Sequence, residues 1–187
     1  YYSAQMGAVD QTATFSVDSP SDAGSGLQKV TFPAFFGSSA TDDTSSPYSL
    51  YYSISNADTD TGSFTATTYD NVGNSSTTNA LTVVKDTTGP TISSPISSDS
   101  SDYIYTSGTS IYYGDDMGVA QSFTISGSAS DSEAGLNQAT FISTCLGSPG
   151  ADATPASWCA TYSDADWADT CTTTITVTVS DNTGNSG

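Results

Sequence analysis

Residues 70–75 read DNVGNS, and residues 181–186 read DNTGNS, 111 positions further along the chain. A second pair of segments recurs in the same order, because residues 21–27 (SDAGSGL) return as residues 130–136 (SDSEAGL). Asp, Asn and Gly at such positions are typical of tight turns, because Gly and Asn tolerate left-handed backbone and Asp accepts bonds from nearby amides. The two motifs predict that one pattern of turns is built twice.

The tyrosine pairs give a third match in that order. Residues 1–7 (YYSAQMG) return as residues 112–118 (YYGDDMG). Ordered self-similarity at one long period indicates a duplicated structural unit. We therefore predict two tandem domains, residues 1–88 and residues 89–187.

The two predicted copies differ at their ends. Copy two carries residues 86–111 ahead of its tyrosine pair, and copy one has no counterpart of them. Copy one has an apolar strand at residues 79–84 after its DNVGNS turn, and copy two has no counterpart of that strand. We expect repeat 1 to lack its first strands and repeat 2 to lack its last strand, with neighbouring residues or a neighbouring chain supplying the missing strands by edge addition.

Apolar and polar residues alternate between turn signals throughout the chain, which predicts strands and no long helix. Disorder, the alternative for so polar a chain, does not explain regularly spaced apolar residues. Many short strands separated by turns are typical of a two-sheet sandwich, so the predicted fold class is all-β. The predicted strands lie near residues 12–18, 28–36, 48–55, 63–69 and 79–85 in copy one, and near 91–96, 103–113, 121–128, 137–145, 158–163 and 172–180 in copy two.

The charge of the chain limits its partners. Lys29 and Lys85 are the only cationic side chains, against 20 acidic residues, and the formal net charge is -18. Binding to nucleic acid or to an anionic membrane surface requires cations that this chain lacks. The sequence also has no apolar run long enough to span a bilayer, so we expect no membrane insertion. Hard cations such as Ca²⁺, which bind carboxylates and carbonyls, are the favoured small partners.

The sequence offers little for catalysis. It contains no His and no Arg, which removes the usual general base and the usual oxyanion or phosphate clamp. Paired carboxylates could cleave glycosides, but Asp on turns is the simpler interpretation of its abundance here. We predict that the protein is not an enzyme.

Three motifs carry a family resemblance: Asp22 with Gly26-Leu27, the turn at residues 70–74, and the linker Asp86-Thr87-Thr88-Gly89-Pro90. Together they resemble the tandem immunoglobulin-like repeats of giant bacterial and archaeal surface proteins. The resemblance implies two tandem immunoglobulin-like sandwiches. Copy two departs from the pattern in its middle, where a segment with three Cys and two Trp is expected to be an insert.

The resemblance implies that the acidic motifs meet. In an immunoglobulin-like sandwich the loop after the second strand, the loop before the last strand and the point of chain entry lie at one pole. We predict a Ca²⁺ site at the junction of the two domains and an equivalent site in copy one. The junction residues are Asp86 of the linker with Asp131, Asp181 and Asn182 of copy two, and the residues of copy one are Asp22, Asp70 and Asn71. The alternative, that these side chains only bond to the backbone of their turns, stays open.

Cys145, Cys159 and Cys171 lie in one predicted domain without CxxC spacing, which disfavours zinc and redox functions. Aligning the two copies favours a disulfide between Cys145 and Cys159, or between Cys159 and Cys171. The remaining thiol would pair between chains or stay free.

Three further residues are surface candidates. Trp158 and Trp167 are expected to form a contact patch, and Asn74 starts an N-glycosylation sequon. The sequence thus favours an extracellular or cell-surface structural module, building a fibre, sheath, surface layer or adhesin stalk from copies of itself or from neighbouring repeats. The alternative function is a glycan-binding or cell-binding accessory module.

Overall fold

The computed structural model describes residues 1–3, 11–99, 103–113, 121–147, 149–164 and 172–187. Its described residues form an all-β structure with one short 3-10 turn at Pro155–Ser157, which confirms the predicted fold class. No helix in these ranges is long and apolar enough to cross a membrane.

The chain divides into two compact units, Tyr1–Thr87 and Thr88–Gly187. Ten short strands form the first unit, and turns rich in Gly, Ser and Asp separate them. These strands are β1 Tyr2–Ser3, β2 Gln11–Ser16, β3 Leu27–Phe32, β4 Thr41–Asp43, β5 Ser49–Ile54, β6 Gly62–Phe64, β7 Thr67–Asp70, β8 Ser75–Thr77, β9 Leu81–Val83 and β10 Lys85–Asp86.

Two sheets of the first unit bury a common core. β2 pairs antiparallel with β5, and the other sheet has the order β4-β3-β7-β8. Val30 and Phe32 on β3 are buried and pack against Phe15 of β2 and Leu50 of β5. Because neighbouring strand residues point to opposite faces, each strand contributes alternate side chains to this core.

Two smaller pairings complete the first unit. β9 pairs antiparallel with β6, and β10 pairs parallel with β1. Val83 of β9 is buried in a cluster with Tyr2 and Tyr52, against which Phe64 of β6 packs. These late strands therefore close one side of the core.

Nine strands lie in the described part of the second unit. They are β11 Thr91–Ile92, β12 Ile96–Asp99, β13 Ile104–Ser107, β14 Ser110–Tyr113, β15 Gln121–Ser126, β16 Ala129–Ser130, β17 Leu136–Ile142, β18 Cys159–Asp164 and β19 Thr176–Asp181. β12, β15 and β18 form one sheet, β17 pairs with β19, β11 pairs with β16, and β13 and β14 form a hairpin.

The core of the second unit surrounds Trp158, whose side chain has no exposed surface. Phe123 and Tyr162 stack in the same cluster, at a ring-centroid distance of 5.2 Å. Gly127 leaves the space that the indole fills, because a Cβ atom at Gly127 would overlap Cζ2 of Trp158.

Several predicted strands are divided in the structure. The predicted strand 103–113 is the hairpin β13–β14, which turns at Gly108 with φ +60°. The predicted strand 63–69 is two strands with different partners, since β6 pairs with β9 and β7 pairs with β3. β4 was not predicted, and residues 172–175 belong to no strand.

The predicted insert of copy two is not longer than its counterpart. The connection from β17 to β18 spans residues 143–158, and the connection from β3 to β5 spans residues 33–48, which is equally long. The segment is a substitution, in which a bridge between Ala139 and Asp152 stands where the first unit has β4. The predicted insert is therefore not confirmed between these strands, and residues 165–171, which belong to its later part, lie outside the described residues.

Candidate metal centre

The turn that follows β19 is organised around one carboxylate oxygen of Asp181. Oδ1 accepts hydrogen bonds from the Thr183 amide at 2.8 Å, the Thr183 hydroxyl at 3.0 Å and the Asn185 amide at 3.0 Å. Gly184 adopts φ +91°, a conformation that a side chain would strain. This turn fixes the carboxylate in place.

The loop before β17 is built in the same way around Asp131. Its Oδ1 accepts hydrogen bonds from the Glu133 amide at 3.1 Å and the Gly135 amide at 2.7 Å. Gly135 has φ +75°, which favours Gly at this position. Two acidic side chains are thus held by the backbone of their own loops.

Asn182 ties these two loops together. Its amide nitrogen donates to the Gly135 carbonyl at 3.0 Å, and its side-chain Nδ2 donates to the Ala134 carbonyl at 2.9 Å. Both of these hydrogen bonds join Asn182 to the loop backbone. They position the carboxylates, and its predicted role as a direct ligand stays a prediction.

The structure brings two predicted carboxylates of the second unit together. One carboxylate oxygen of Asp131 lies within 4.8 Å of one of Asp181. The third predicted carboxylate, Asp86, belongs to the first unit, and its role as a ligand stays a prediction. Asp86 ends β10, two residues ahead of Thr88, whose amide donates to Glu133 at 3.2 Å. Asp86 and Asp181 have no exposed surface, and Asp131 is half-buried.

The second oxygen of Asp181 is the unusual atom in this group. Oδ2 is buried and has no hydrogen-bond partner among the described residues, although Oδ1 has three. A buried charged oxygen without a partner is costly unless a cation compensates it. Ca²⁺ and Mg²⁺ prefer oxygen ligands, so the donor set of this cluster fits a hard divalent cation.

The hydrogen bonds at Asp181 also set its protonation. Burial raises the pKa of this carboxyl, but hydrogen bonds from Thr183 and Asn185 outweigh burial and hold the pKa below its ordinary value. The group is therefore ionised at neutral pH. A negative charge is thus maintained on the buried Asp181 beside Asp131.

The first unit contains the same turn with nearly identical geometry. The Asn71 amide donates to the Gly26 carbonyl at 3.0 Å, the distance found between Asn182 and Gly135. Gly26 donates its amide to Asp22 at 2.7 Å, and Asn71 Nδ2 donates to the Ser25 carbonyl at 2.8 Å. The duplicated motifs therefore fold into duplicated loops.

The two turns differ at the second carboxylate oxygen. In the first unit, Asn74 Nδ2 donates to Asp70 Oδ2 at 2.7 Å. In the second unit, Asn185 Nδ2 donates instead to the Thr183 hydroxyl at 3.0 Å and the Thr88 carbonyl at 3.4 Å. Asp70 is thus satisfied by its own turn, whereas Asp181 keeps an oxygen available for a ligand.

One residue of the motif explains this difference. The variable position is Val72 in the first turn and Thr183 in the second. Val72 is exposed and has no hydroxyl to accept a hydrogen bond, so the neighbouring Asn bonds to the Asp. The sequence difference between Val72 and Thr183 therefore distinguishes the two turns, although the site was predicted from the residues that the turns share. The predicted site at Asp22, Asp70 and Asn71 has no third acidic side chain grouped with it in the described part of the chain.

The structure corrects two other predictions. Trp158 is fully buried in the core, so it does not form the expected contact patch, and Trp167 lies outside the described residues. Cys159 has a free, exposed thiol, so the two favoured disulfides, which both use Cys159, are wrong. Cys171 lies outside the described residues.

Asn74 is exposed, as an acceptor of N-glycosylation must be. Its Nδ2 atom, to which a glycan would be attached, already donates to Asp70. Glycosylation would therefore require this hydrogen bond to break, and the modification stays a prediction.

Comparison with known proteins gives a structural similarity. No family model matches the sequence, and no curated protein matches it. The chain is similar to a solved structure of the fibronectin(III)-like modules of CbhA from Clostridium thermocellum, with 17% identity and a TM-score of 0.44. The match covers 100% of this chain and 83% of the other.

Proposed function

We propose that the chain is a non-enzymatic structural module of a repetitive extracellular or cell-surface protein. The observation that carries this proposal is the duplicated loop pair, in which the hydrogen bonds of Asn71 with Gly26 and of Asn182 with Gly135 have the same length of 3.0 Å. A unit that is built twice with the same turns is typical of proteins that gain length by repetition. We assign both copies to the immunoglobulin-like type.

The distribution of charge supports a structural role. Several acidic side chains accept hydrogen bonds from nearby backbone, as Asp43 does from Ser45 and Ser49. Such residues shape turns, and they do not form the pair of freely accessible carboxylates that glycoside hydrolysis requires. A formal net charge of -18 keeps repeated copies soluble. Fibre, sheath, surface layer and stalk are all consistent with these properties.

We assign calcium as the ion of this module. It would be held by Asp131 and Asp181 of the second unit, with Asp86 as the further ligand that the sequence predicts, and the buried Asp181 Oδ2 is the atom that most needs it. Bound Ca²⁺ would neutralise part of the charge of the cluster and hold the loop before β17 against the turn after β19. The ion would therefore contribute stability and no catalysis.

Electron microscopy of the native material tests the structural role. We expect elongated particles or fibres with a regular axial spacing in calcium, and loss of that order in EDTA. Separate particles without axial order under both conditions, together with turnover of a glycan substrate, would refute the proposal. The same samples should be tested for N-linked glycan at Asn74.

Glycan binding is a second candidate, and exposed tyrosines favour it. Tyr105 and Tyr112 face each other across the β13–β14 hairpin with ring centroids 6.1 Å apart, and they are 66% and 59% exposed. Aromatic rings at the surface can stack on sugars. A glycan array probed with the chain and with its Tyr105→Ala variant tests this function. Signals that are equal for the two proteins would count against the hairpin as a binding site.

A further inference from the structure

The second unit contains an apolar groove along one side of its core. The groove has a volume of about 670 Å³, which is larger than a packing defect and within the range of binding clefts. It lies between the β14 side of the hairpin, β15 and the segment that leads into β19. Its apolar lining includes Ile111, Tyr113, Phe123, Ile125, Ile175 and Val177.

The first unit shows which element belongs in this position. β2 and β15 are equivalent, because β2 pairs with β5 from Gln11 to Ser16 and β15 pairs with β18 from Gln121 to Ser126 in the same register. Tyr2, Phe15 and Phe64 of the first unit correspond by this repeat to Tyr113, Ile125 and Ile175. The latter three line the groove.

In the first unit β9 covers the corresponding surface. Gly62, Ser63 and Phe64 of β6 pair with Val83, Thr82 and Leu81 of β9. Val83 is 8% exposed and belongs to the cluster of Tyr2 and Tyr52, against which Phe64 packs. The closing strand therefore supplies both a backbone partner for β6 and an apolar side chain for the core.

The described part of the second unit has no counterpart of β9. Thr173, Thr174 and Ile175 correspond to the three residues of β6, yet they belong to no strand and have no ladder partner among the described residues. An unpaired edge beside an exposed apolar groove is a template for an added strand. The unpaired backbone of residues 173–175 and the groove beside it are the two features that binding of an added strand requires.

We propose that this groove binds a β-strand with the pattern of residues 79–86, NALTVVKD, supplied from outside the 187 residues. The strand would pair antiparallel with residues 173–175 and place a valine in the groove at the position that Val83 occupies in the first unit. Residues 79–86 of a second copy are not a net donor. They already close the first unit of their own chain, so donating them would open one groove for every groove filled.

The proposal rests on the equivalence of the two units and not on the structural role or the calcium site. Its test uses the intact chain and a synthetic peptide of residues 79–86. We expect one peptide to bind per chain by calorimetry, and hydrogen exchange at residues 172–175 to slow at least tenfold. A peptide with Val83→Asp should not bind, because it would bury a carboxylate in the groove.

A chain variant gives the reciprocal control. Ile111→Asp places a charge at the rim of the groove, and circular dichroism establishes that the variant is folded before binding is measured. Loss of peptide binding in this variant supports the groove as the site. Absence of binding by the unmodified peptide, equal binding of the Val83→Asp peptide, or self-association of the chain that the peptide does not reverse would overturn the proposal. None of these results would alter the expected response to calcium.

Discussion

Replacing Asp181 by Asn should abolish the stabilisation of the second unit by calcium. The substitution is nearly isosteric, and the side-chain oxygen of Asn can still accept the amide hydrogen bonds of Thr183 and Asn185. It removes the negative charge and replaces the buried Oδ2 with a donor, which cannot bind a cation. The turn is therefore expected to persist while the ion is lost.

The expected increase in Tm can be calculated from the calcium affinity that is typical of sites with oxygen ligands. Sites of this kind in extracellular modules bind calcium with Kd values of about 10⁻⁴ to 10⁻³ M. At a Kd of about 10⁻⁴ M, calcium at about 10 mM stabilises the folded state by roughly 2.7 kcal/mol. For a unit of this size each kcal/mol raises Tm by about 4 to 8 °C, so the expected increase is roughly 10 to 20 °C.

Differential scanning calorimetry in calcium and in EDTA measures this increase. Asp70→Asn is the matched control, because Asp70 occupies the equivalent turn but its Oδ2 is bonded to Asn74. The control should keep the full calcium-dependent increase of the second transition. A wild-type Tm that is the same in calcium and EDTA, or an Asp181→Asn variant that keeps the increase, would refute the cation site.

Thr183→Val tests the same site without changing a carboxylate. The variant gives the second turn the residue type found at Val72 in the first, so Asn185 is expected to turn toward Asp181 Oδ2. The calcium-dependent increase in Tm should fall to less than half of the wild-type value. An unchanged increase would show that Thr183 does not keep that oxygen available.

Three further predictions concern the second unit. Hydrogen bonds from Thr154 and Cys159 hold the pKa of Asp152 below its ordinary value of 3.8, so its contribution to stability should be present above pH 3.8 and lost as the pH falls through the lower folded value. Asp152→Asn should flatten this part of the acid unfolding curve, and an unchanged curve would contradict the assignment. Gly127→Ala should destabilise the second unit by about 1 to 3 kcal/mol in urea unfolding, because the new methyl group overlaps Trp158. Iodoacetamide should label Cys159 in the native chain, as peptide mass spectrometry can establish, whereas resistance to labelling would contradict a free, exposed thiol.

The duplicated loops were predictable from the sequence because their geometry depends on local residues. Asp accepts amide hydrogen bonds from residues two to four positions ahead, and Gly provides the left-handed backbone, so the DNxGN pattern implies its own turn. The pairing of Asn182 with Gly135 joins residues far apart in sequence, but it repeats the pairing of Asn71 with Gly26. Because both motifs recur in the sequence, a tertiary contact found in one unit is expected in the other unit as well.

The missed features depend on contacts that no local pattern encodes. The strand predicted at 103–113 continues its alternation through the turn, and only Gly108 indicates the hairpin. Trp158 was assigned to the surface because its burial depends on the space left by Gly127, 31 positions earlier in the chain. The disulfides that use Cys159 were inferred from an alignment of the copies, and alignment does not report which thiols face each other.

Neither the open groove nor the available oxygen of Asp181 was predicted as such. The groove becomes visible only when the core positions of one unit are matched with those of the other, as for Phe64 and Ile175. The available oxygen depends on the direction in which one Asn side chain turns. Both differences arise between copies whose backbone hydrogen bonds are almost the same.

Residue-resolved hydrogen exchange on the intact chain tests most directly the claim that the chain contains two copies of one β unit, of which the second is open. The amides of Asn71 and Asn182 should be protected to a similar degree, because each bonds to the carbonyl of the equivalent Gly. Residues 62–64, which pair with β9, should exchange at least tenfold more slowly than residues 173–175. Equal exchange of these two segments, or strongly different protection of Asn71 and Asn182, would contradict the account.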